Sequence, residues 1–278
     1  MNRNTRPLIL ITNDDGIGSP GLLAAVRCVL DLGEVWVAAP RVQQSGSGRC
    51  LPPHKVDVQE STLNVDGIAV PAFALDTSPA QAVRHGVLCL VPHRPDLTIS
   101  GINYGENVGG TVTISGTVGA AIESASYGIP TLAASLETER QYHWSQSTEV
   151  DFSVAAAFVR RLAQWMLGHG LPAGVDILKL DVPGTARADS PWRITRVSRQ
   201  PYWMSPVTVD EQGRRHLHGY VRQVDLATLE PDSDVRAIAV DRLVSLSPLT
   251  TDLTAKADLS QLQQTLTAQL QTWVTDPP

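Results

Sequence analysis

The 278-residue chain is short of cysteine, carries no excess of positive charge and has no long apolar run. Its three cysteines, Cys28, Cys50 and Cys89, are odd in number and include no C-x-x-C pair. That excludes a disulfide framework and a cysteine zinc site, and it fits a reducing cytoplasm. Lys and Arg total 22 against 28 Asp and Glu, a formal net charge of −6. A footprint on long nucleic acid needs a basic face, so that partner is not expected. A small phosphate-bearing ligand stays open, because one site can invert the local field. No apolar run approaches the ~20 residues of a membrane span. Leu8 to Ile11 is too short for the core of an export signal, and Asn13-Asp14-Asp15 follows at once. The expectation is a cytoplasmic protein with no membrane partner. No internal repeat or low-complexity tract is present. The remaining composition, 42% hydrophobic and 18% charged, is that of a folded globular chain.

Residues 8–12 read as a buried strand, apolar and β-branched. Ser19-Pro20 reads as a helix start, with Ser as N-cap and Pro at the first helical position. Leu22, Val26, Val29 and Leu30 recur at helical spacing, and residues 34–39 suit a second strand. Such a strand–helix–strand opening favours a parallel sheet. The alternation continues with strands over 68–75, 96–100, 131–136 and 175–182, and helices over 78–90, 116–127 and 150–167. Residues 1–185 therefore read as an α/β, doubly wound, Rossmann-like domain. From about 190 to 250, short alternating runs such as 193–198 and 235–240 predict antiparallel strands or hairpins. Residues 258–273 predict a closing helix with Leu259, Leu262, Leu266, Leu270 and Trp273 on one face.

Three loops could carry chemistry. Asn13-Asp14-Asp15-Gly16 follows the first strand, at the sheet edge where α/β folds bind ligands. Two adjacent carboxylates in one crevice repel each other and call for a cation; a solvated turn with one helix-capping Asp is the plain alternative. Gln43-Gln44-Ser45-Gly46-Ser47-Gly48 follows the second strand and offers a neutral oxygen ligand or backbone donors. The window Ser100 to Gly119 holds six of the 21 glycines, where even spacing would place about 1.5. Within it, Asn103 and Asn107 offer amide groups. Ser115-Gly116-Thr117, at the start of a predicted helix, offers hydroxyls and free N–H groups to an anion. An all-oxygen set suits Mg²⁺ or Mn²⁺ better than zinc. The seven histidines show no metal-site spacing, and His143 among them reads as a surface or satisfied core residue.

Gly16-x-Gly18-x-x-Gly21 also matches G-x-G-x-x-G after a strand and before a helix. Asp14 and Asp15 beside it would repel a pyrophosphate, and Pro20 removes a donor where donors are wanted. Pro40-Arg41 at the next strand end lacks the acidic ribose partner. An NADP-dependent oxidoreductase is thus a distant alternative, and a non-catalytic nucleotide sensor another.

Ile11-Thr-Asn-Asp-Asp-Gly-Ile-Gly-Ser-Pro-Gly21, Gln44-Ser45-Gly46, and Ser100-Gly-Ile-Asn103 through Ser115-Gly-Thr-Val118 resemble, in order, the signatures of the survival protein SurE family of nucleotidases. Pro248-Leu249 and Asp252-Leu253-Thr254 resemble a further stretch near its C-terminus. The resemblance covers nearly the whole chain, loosely over 185–235. It implies a Rossmann-like domain over 1–185, with a β-hairpin and C-terminal arm over 186–278 exchanged in a homodimer or homotetramer. It implies release of phosphate from nucleoside 5′- and 3′-monophosphates with one divalent metal, Mg²⁺ or Mn²⁺, per subunit. On this resemblance Asp14, Asp15, Ser45 and Asn103 would hold the metal. Asn107, Ser115, Gly116 and Thr117 would contact phosphate, with Gly46 beside them, and Asp14 and Asp15 would also serve the chemistry. Adjacent acids depart from the Asp-x-Asp of aspartyl-phosphate phosphatases, so direct attack by water is expected. Three places depart from the common family pattern: Arg41-Val42 for Asp-Arg, Ile114 for an aromatic, and Glu106 for Pro. They leave the ligand positions intact and bear on base preference and loop shape.

Overall fold

The structure is a computed structural model that describes residues 6–275, with side chains through residue 269. At its centre lies β1 (Leu8–Thr12), wholly buried because its apolar residues face protein on both sides. It leads into α1 (Pro20–Val29) and β2 (Glu34–Pro40), and β1 and β2 pair in parallel. Then come β3 (Val58–Val65) and β4 (Ile68–Leu75), an antiparallel pair turned by Asp66-Gly67 at φ 53° and 83°. Two residues at positive φ are what a tight hairpin turn requires. Next follow α2 (Pro79–His85), β5 (Leu97–Tyr104), α3 (Gly116–Ala125), β6 (Thr131–Leu136), α4 (Ser153–His169) and β7 (Ile177–Val182). The chain then makes short strands: β8 (Trp192–Ile194), β9 (Trp203–Met204), β10 (Val207–Val209), β11 (Arg215–Leu217) and β12 (Val221–Arg222). It ends with α5 (Asp234–Arg236), β13 (Val244–Leu249) and α6 (Leu259–Thr275).

Nine strands form one sheet in the order β3-β4-β2-β1-β5-β6-β7-β13-β8. It is the expected mostly parallel, doubly wound α/β architecture. Alternate residues of β1 face opposite layers: Ile9 and Ile11 join the core under α1 and α4, whereas Leu10 joins that beside α2. Strand order runs one way from β1 to β2 and the other way from β1 to β5, so a crevice opens between the carboxyl ends of β1 and β5. The loops carrying Asp14, Ser45 and Asn103 leave that edge.

Some local expectations change. The strand expected at 96–100 continues to Tyr104, with a register shift against β6 between Ser100 and Asn103. Such an irregularity re-aims a side chain at the strand end. The run 235–240, expected as a strand, is α5 followed by a wide helical turn over 237–241. Ser233 caps it by accepting from the Arg236 amide, and Val235, Ala237 and Ile238 are buried. The run 193–198 makes no hairpin: β8 joins β13 in parallel, while the hairpins of this region are the small pairs β10–β11 and β9–β12. Ser19 sits at the N-cap of α1 without a capping hydrogen bond. β3 was not expected, because Val-Gln-Glu-Ser-Thr-Leu-Asn-Val is a polar, largely exposed edge.

The last glycine of the G-x-G-x-x-G match has a packing role. A Cβ on Gly21 would lie 2.0 Å from the Ile102 carbonyl oxygen, so glycine lets α1 press against β5. Gly18 has open space around it. Gly21→Ala is therefore expected to cost about 1–3 kcal/mol or more through overpacking, and Gly18→Ala to be near neutral. Urea denaturation of both variants checks this, and equal midpoints would contradict it.

Candidate active site

Asp14 and Asp15 sit directly beyond β1 and are 3% and 1% exposed. Asp14 Oδ1 accepts a hydrogen bond from the Thr117 hydroxyl at 2.5 Å. Asp15 Oδ1 accepts from Gln43 Nε2 at 3.2 Å, and Oδ2 accepts from the Tyr104 amide at 3.3 Å. Burial pushes the Asp14 carboxyl above its ordinary range, against the Thr117 bond. Burial and then the Asp14 charge push Asp15 well above its own. Among the described residues no lysine or arginine offsets either acid. Two desolvated like charges side by side are unstable without a cation or protons.

Asp14 opens onto a cavity of about 280 Å³ that Ser45, Gly46, Asn103, Asn107 and Ser115 also line. Asn103 donates through Nδ2 to the Tyr104 and Gly105 carbonyls at 3.2 and 2.6 Å, which leaves Oδ1 as its free acceptor. Ser45 Oγ accepts from Gln43 Nε2 at 2.9 Å, so one glutamine ties the second loop to Asp15. Asn107 donates to Ser135 Oγ at 2.8 Å. Ser115 is the N-cap of α3 and accepts from the Val118 amide at 3.1 Å. A Cβ on Gly116 would fall 2.7 Å from Asp14 Cβ, so this glycine brings the electropositive end of α3 against the carboxylate. All nine residues singled out in the sequence thus converge on one place; Asp15 and Thr117 stand behind the cavity wall and bond to their neighbours.

A divalent cation fits this donor set. Both carboxylates are buried and lack a protein cation, the neutral donors are oxygens, and the Asn103 amide is fixed with its oxygen spare. No cluster of three or more His, Cys, Asp or Glu exists among the described residues, so amide and hydroxyl oxygens would complete the set around the two carboxylates.

The family model described as survival protein SurE matches residues 9–204. The chain belongs to the survival protein SurE family. It is 40% identical to "5′-nucleotidase SurE" of Thermococcus gammatolerans over 261 residues, 93% of this chain and 95% of that one. It is 41% identical to "5′-nucleotidase SurE" of Methanothrix thermoacetophila over 267 residues, 93% of this chain and 98% of that one. The crystal structure of the SurE protein from Aquifex aeolicus superposes with a TM-score of 0.76 at 27% identity, covering 94% of this chain and all of that chain.

This SurE chain also holds groups around the site that its sequence did not announce. His143 lines the cavity, 9% exposed, and its Nε2 has no hydrogen-bond partner among the described residues. Burial, first of all, lowers its affinity for a proton. Gln43 and Gln146 bind Asp15, the latter through the Asp15 carbonyl. Beneath the Asn107 loop lies a buried ion cluster: Lys179 Nζ is 2.5 Å from Asp181 and 3.2 Å from Asp234. Asp181 accepts the Asn107 amide at 2.7 Å, and Asp234 accepts the Gly109 and Ser198 amides. Burial alone would discharge Lys179, but the two carboxylates outweigh it and raise its pKa. A lysine and an aspartate two apart on one face of an otherwise apolar strand were the available signal. Lys179→Met strands two buried acids and is expected to cost about 3–5 kcal/mol. Chemical denaturation measures this; an unchanged midpoint would mean the cluster does not support the loop.

Proposed function

We propose that this chain is a metal-dependent nucleotidase, hydrolysing nucleoside 5′-monophosphates, and 3′-monophosphates as well, to nucleoside and phosphate in the cytoplasm. The observation that carries this is the buried, unneutralised Asp14–Asp15 pair, with a helix N-terminus packed against Asp14 beside one small cavity. The names of the relatives support the substrate class. Asp14, Asp15, Ser45 and Asn103 would hold one Mg²⁺ or Mn²⁺ per subunit. When bound, the ion supplies positive charge against the phosphoryl oxygens.

The chain's own groups do the rest. Ser115, Gly116 and Thr117 at the start of α3, with Gly46 and Asn107, hold the phosphate oxygens. Thr117 fixes Asp14 through its hydroxyl, and Gln43 fixes Asp15 relative to Ser45. Water attacks phosphorus: its O–P bond forms as the ester P–O bond breaks, and the proton the water gives up ends on the leaving oxygen, so the nucleoside departs as its alcohol. Asp15 is engaged by Gln43 and Tyr104, whereas Asp14 faces the cavity, so Asp14 is placed to take the proton of the attacking water.

The C-terminal arm points to an oligomer. Leu259, Leu262 and Leu266 of α6 are 57%, 49% and 46% exposed; the side chains of Leu270 and Trp273, expected on the same face, lie outside the described residues. A groove of about 580 Å³ between α4, β7, β8 and β13 is lined by Trp165, Leu178, Trp192 and Ile194. We assign it to the α6 arm of a second copy, giving a homodimer or homotetramer with exchanged arms. Among the described residues no helix is long and apolar enough to cross a membrane.

Phosphate release from a panel of nucleoside monophosphates is expected with Mn²⁺ or Mg²⁺ and absent in EDTA. Asp14→Asn should lower it at least about 100-fold with the fold intact by circular dichroism. Binding without release would make the chain a sensor. Truncation after residue 250 should reduce the sedimenting mass to that of a smaller species, and an unchanged oligomer would contradict arm exchange.

A further inference from the structure

The phosphate end of the cavity uses only part of its wall. Another part of that wall is aromatic and comes mainly from segments outside the parallel core: His143 and Trp144 after β6, Trp203 on β9, and Tyr220 next to β12. Trp144 is 61% exposed, yet its indole is held, because Nε1 donates to the Tyr220 hydroxyl at 3.2 Å. The same hydroxyl pairs with His143 Nδ1 at 2.9 Å. Tyr220 lies parallel to His143 with centroids 5.9 Å apart, and Trp203 meets both rings edge-on at 5.2 and 5.6 Å. Ile114, 58% exposed, lines the same cavity. A large indole left in solvent but tethered at its Nε1 edge is a stacking surface for a flat apolar partner.

A second feature of the wall is a buried carboxylate. Glu106 adjoins Asn107, and its Oε1 accepts from the Tyr202 hydroxyl at 2.6 Å and from Arg222 at 2.9 Å. Tyr202 packs edge-on against Trp203 at 5.1 Å. Glu106 is 3% exposed, lines the cavity, and its Oε2 has no hydrogen-bond partner among the described residues. A buried acceptor left empty is costly unless a ligand donor fills it.

We propose that this wall is a nucleoside subsite, in which the base stacks on Trp144 within the Tyr220–Trp203 cluster and Glu106 Oε2 accepts a ribose hydroxyl. The inference rests on the nucleotidase reading for the position of the phosphate, and it adds which end of the substrate the rest of the cavity selects. Purines, with more ring area over the indole, gain more than pyrimidines. The side chains that select the base thus stand where Ile114 supplies no ring of its own.

Calorimetric titration with Ca²⁺ in place of Mn²⁺, a cation that offsets the acidic pair while its loose oxygen coordination slows turnover, tests this with adenosine monophosphate, uridine monophosphate, ribose 5-phosphate and 2′,3′-dideoxyadenosine monophosphate. The expected affinity order is adenosine above uridine above the base-free sugar phosphate, with the dideoxy compound several-fold weaker than its parent. Trp144→Ala should bring adenosine monophosphate about ten-fold closer to ribose 5-phosphate. Trp144→Phe, which keeps a ring, should restore much of the gap. Equal affinities for adenosine monophosphate and ribose 5-phosphate in the wild type, or an equal loss for both in Trp144→Ala, would overturn the platform. Equal affinity for the dideoxy compound would remove Glu106 from it. A wild type that binds in the expected order but releases no phosphate with Mn²⁺ would refute the nucleotidase reading and leave the subsite standing.

Discussion

The structure turns on the repulsion between two buried carboxylates. Asp14 and Asp15 follow one another off the central strand and are almost fully desolvated, with no basic side chain beside them among the described residues. A folded protein keeps such a pair only if the surroundings compensate it. Here they do so in part: a threonine hydroxyl, a glutamine amide, a backbone amide and a helix N-terminus all turn toward the pair. These are dipoles and leave net negative charge. That remainder is what a divalent cation, and through it a phosphate, would recognise. An acidic chain can in this way build an anion receptor.

The scaffold makes the convergence possible. β1 lies between β2 and β5, so the loops after all three strands share one edge. The register shift in β5 places Asn103 at that edge, and Gly116 lets α3 come within contact of Asp14. Below it, Lys179 gathers Asp181 and Asp234, whose remaining lone pairs hold the Asn107 and Gly109 amides. The loop is therefore fastened by charge on its buried side while its other side stays available.

Much of this was legible in the sequence. The strand–helix alternation, the acidic pair after the first strand and the glycine-dense window are local patterns, and local patterns survive folding. The G-x-G-x-x-G match was legible too, and its last glycine proves to serve packing against Ile102. What stayed hidden depends on distant pairing. β3 is stabilised by β4 and carries little apolar signal of its own. The run 235–240 alternates like a strand but becomes a helical turn, because the Ser233 cap and Asp234's amide bonds fix its start. His143, Trp144, Trp203 and Tyr220 come from segments up to 77 positions apart, so no spacing joins them. Their meeting is a property of the fold.

The central claim, that the carboxylate pair exists to seat a metal, is tested most directly by anomalous diffraction from crystals soaked in Mn²⁺. The account predicts one strong peak per subunit among Asp14, Asp15, Ser45 and Asn103, lost in Asp14→Asn crystals of the same form. A peak elsewhere, or no peak at this site at saturating Mn²⁺, would contradict it.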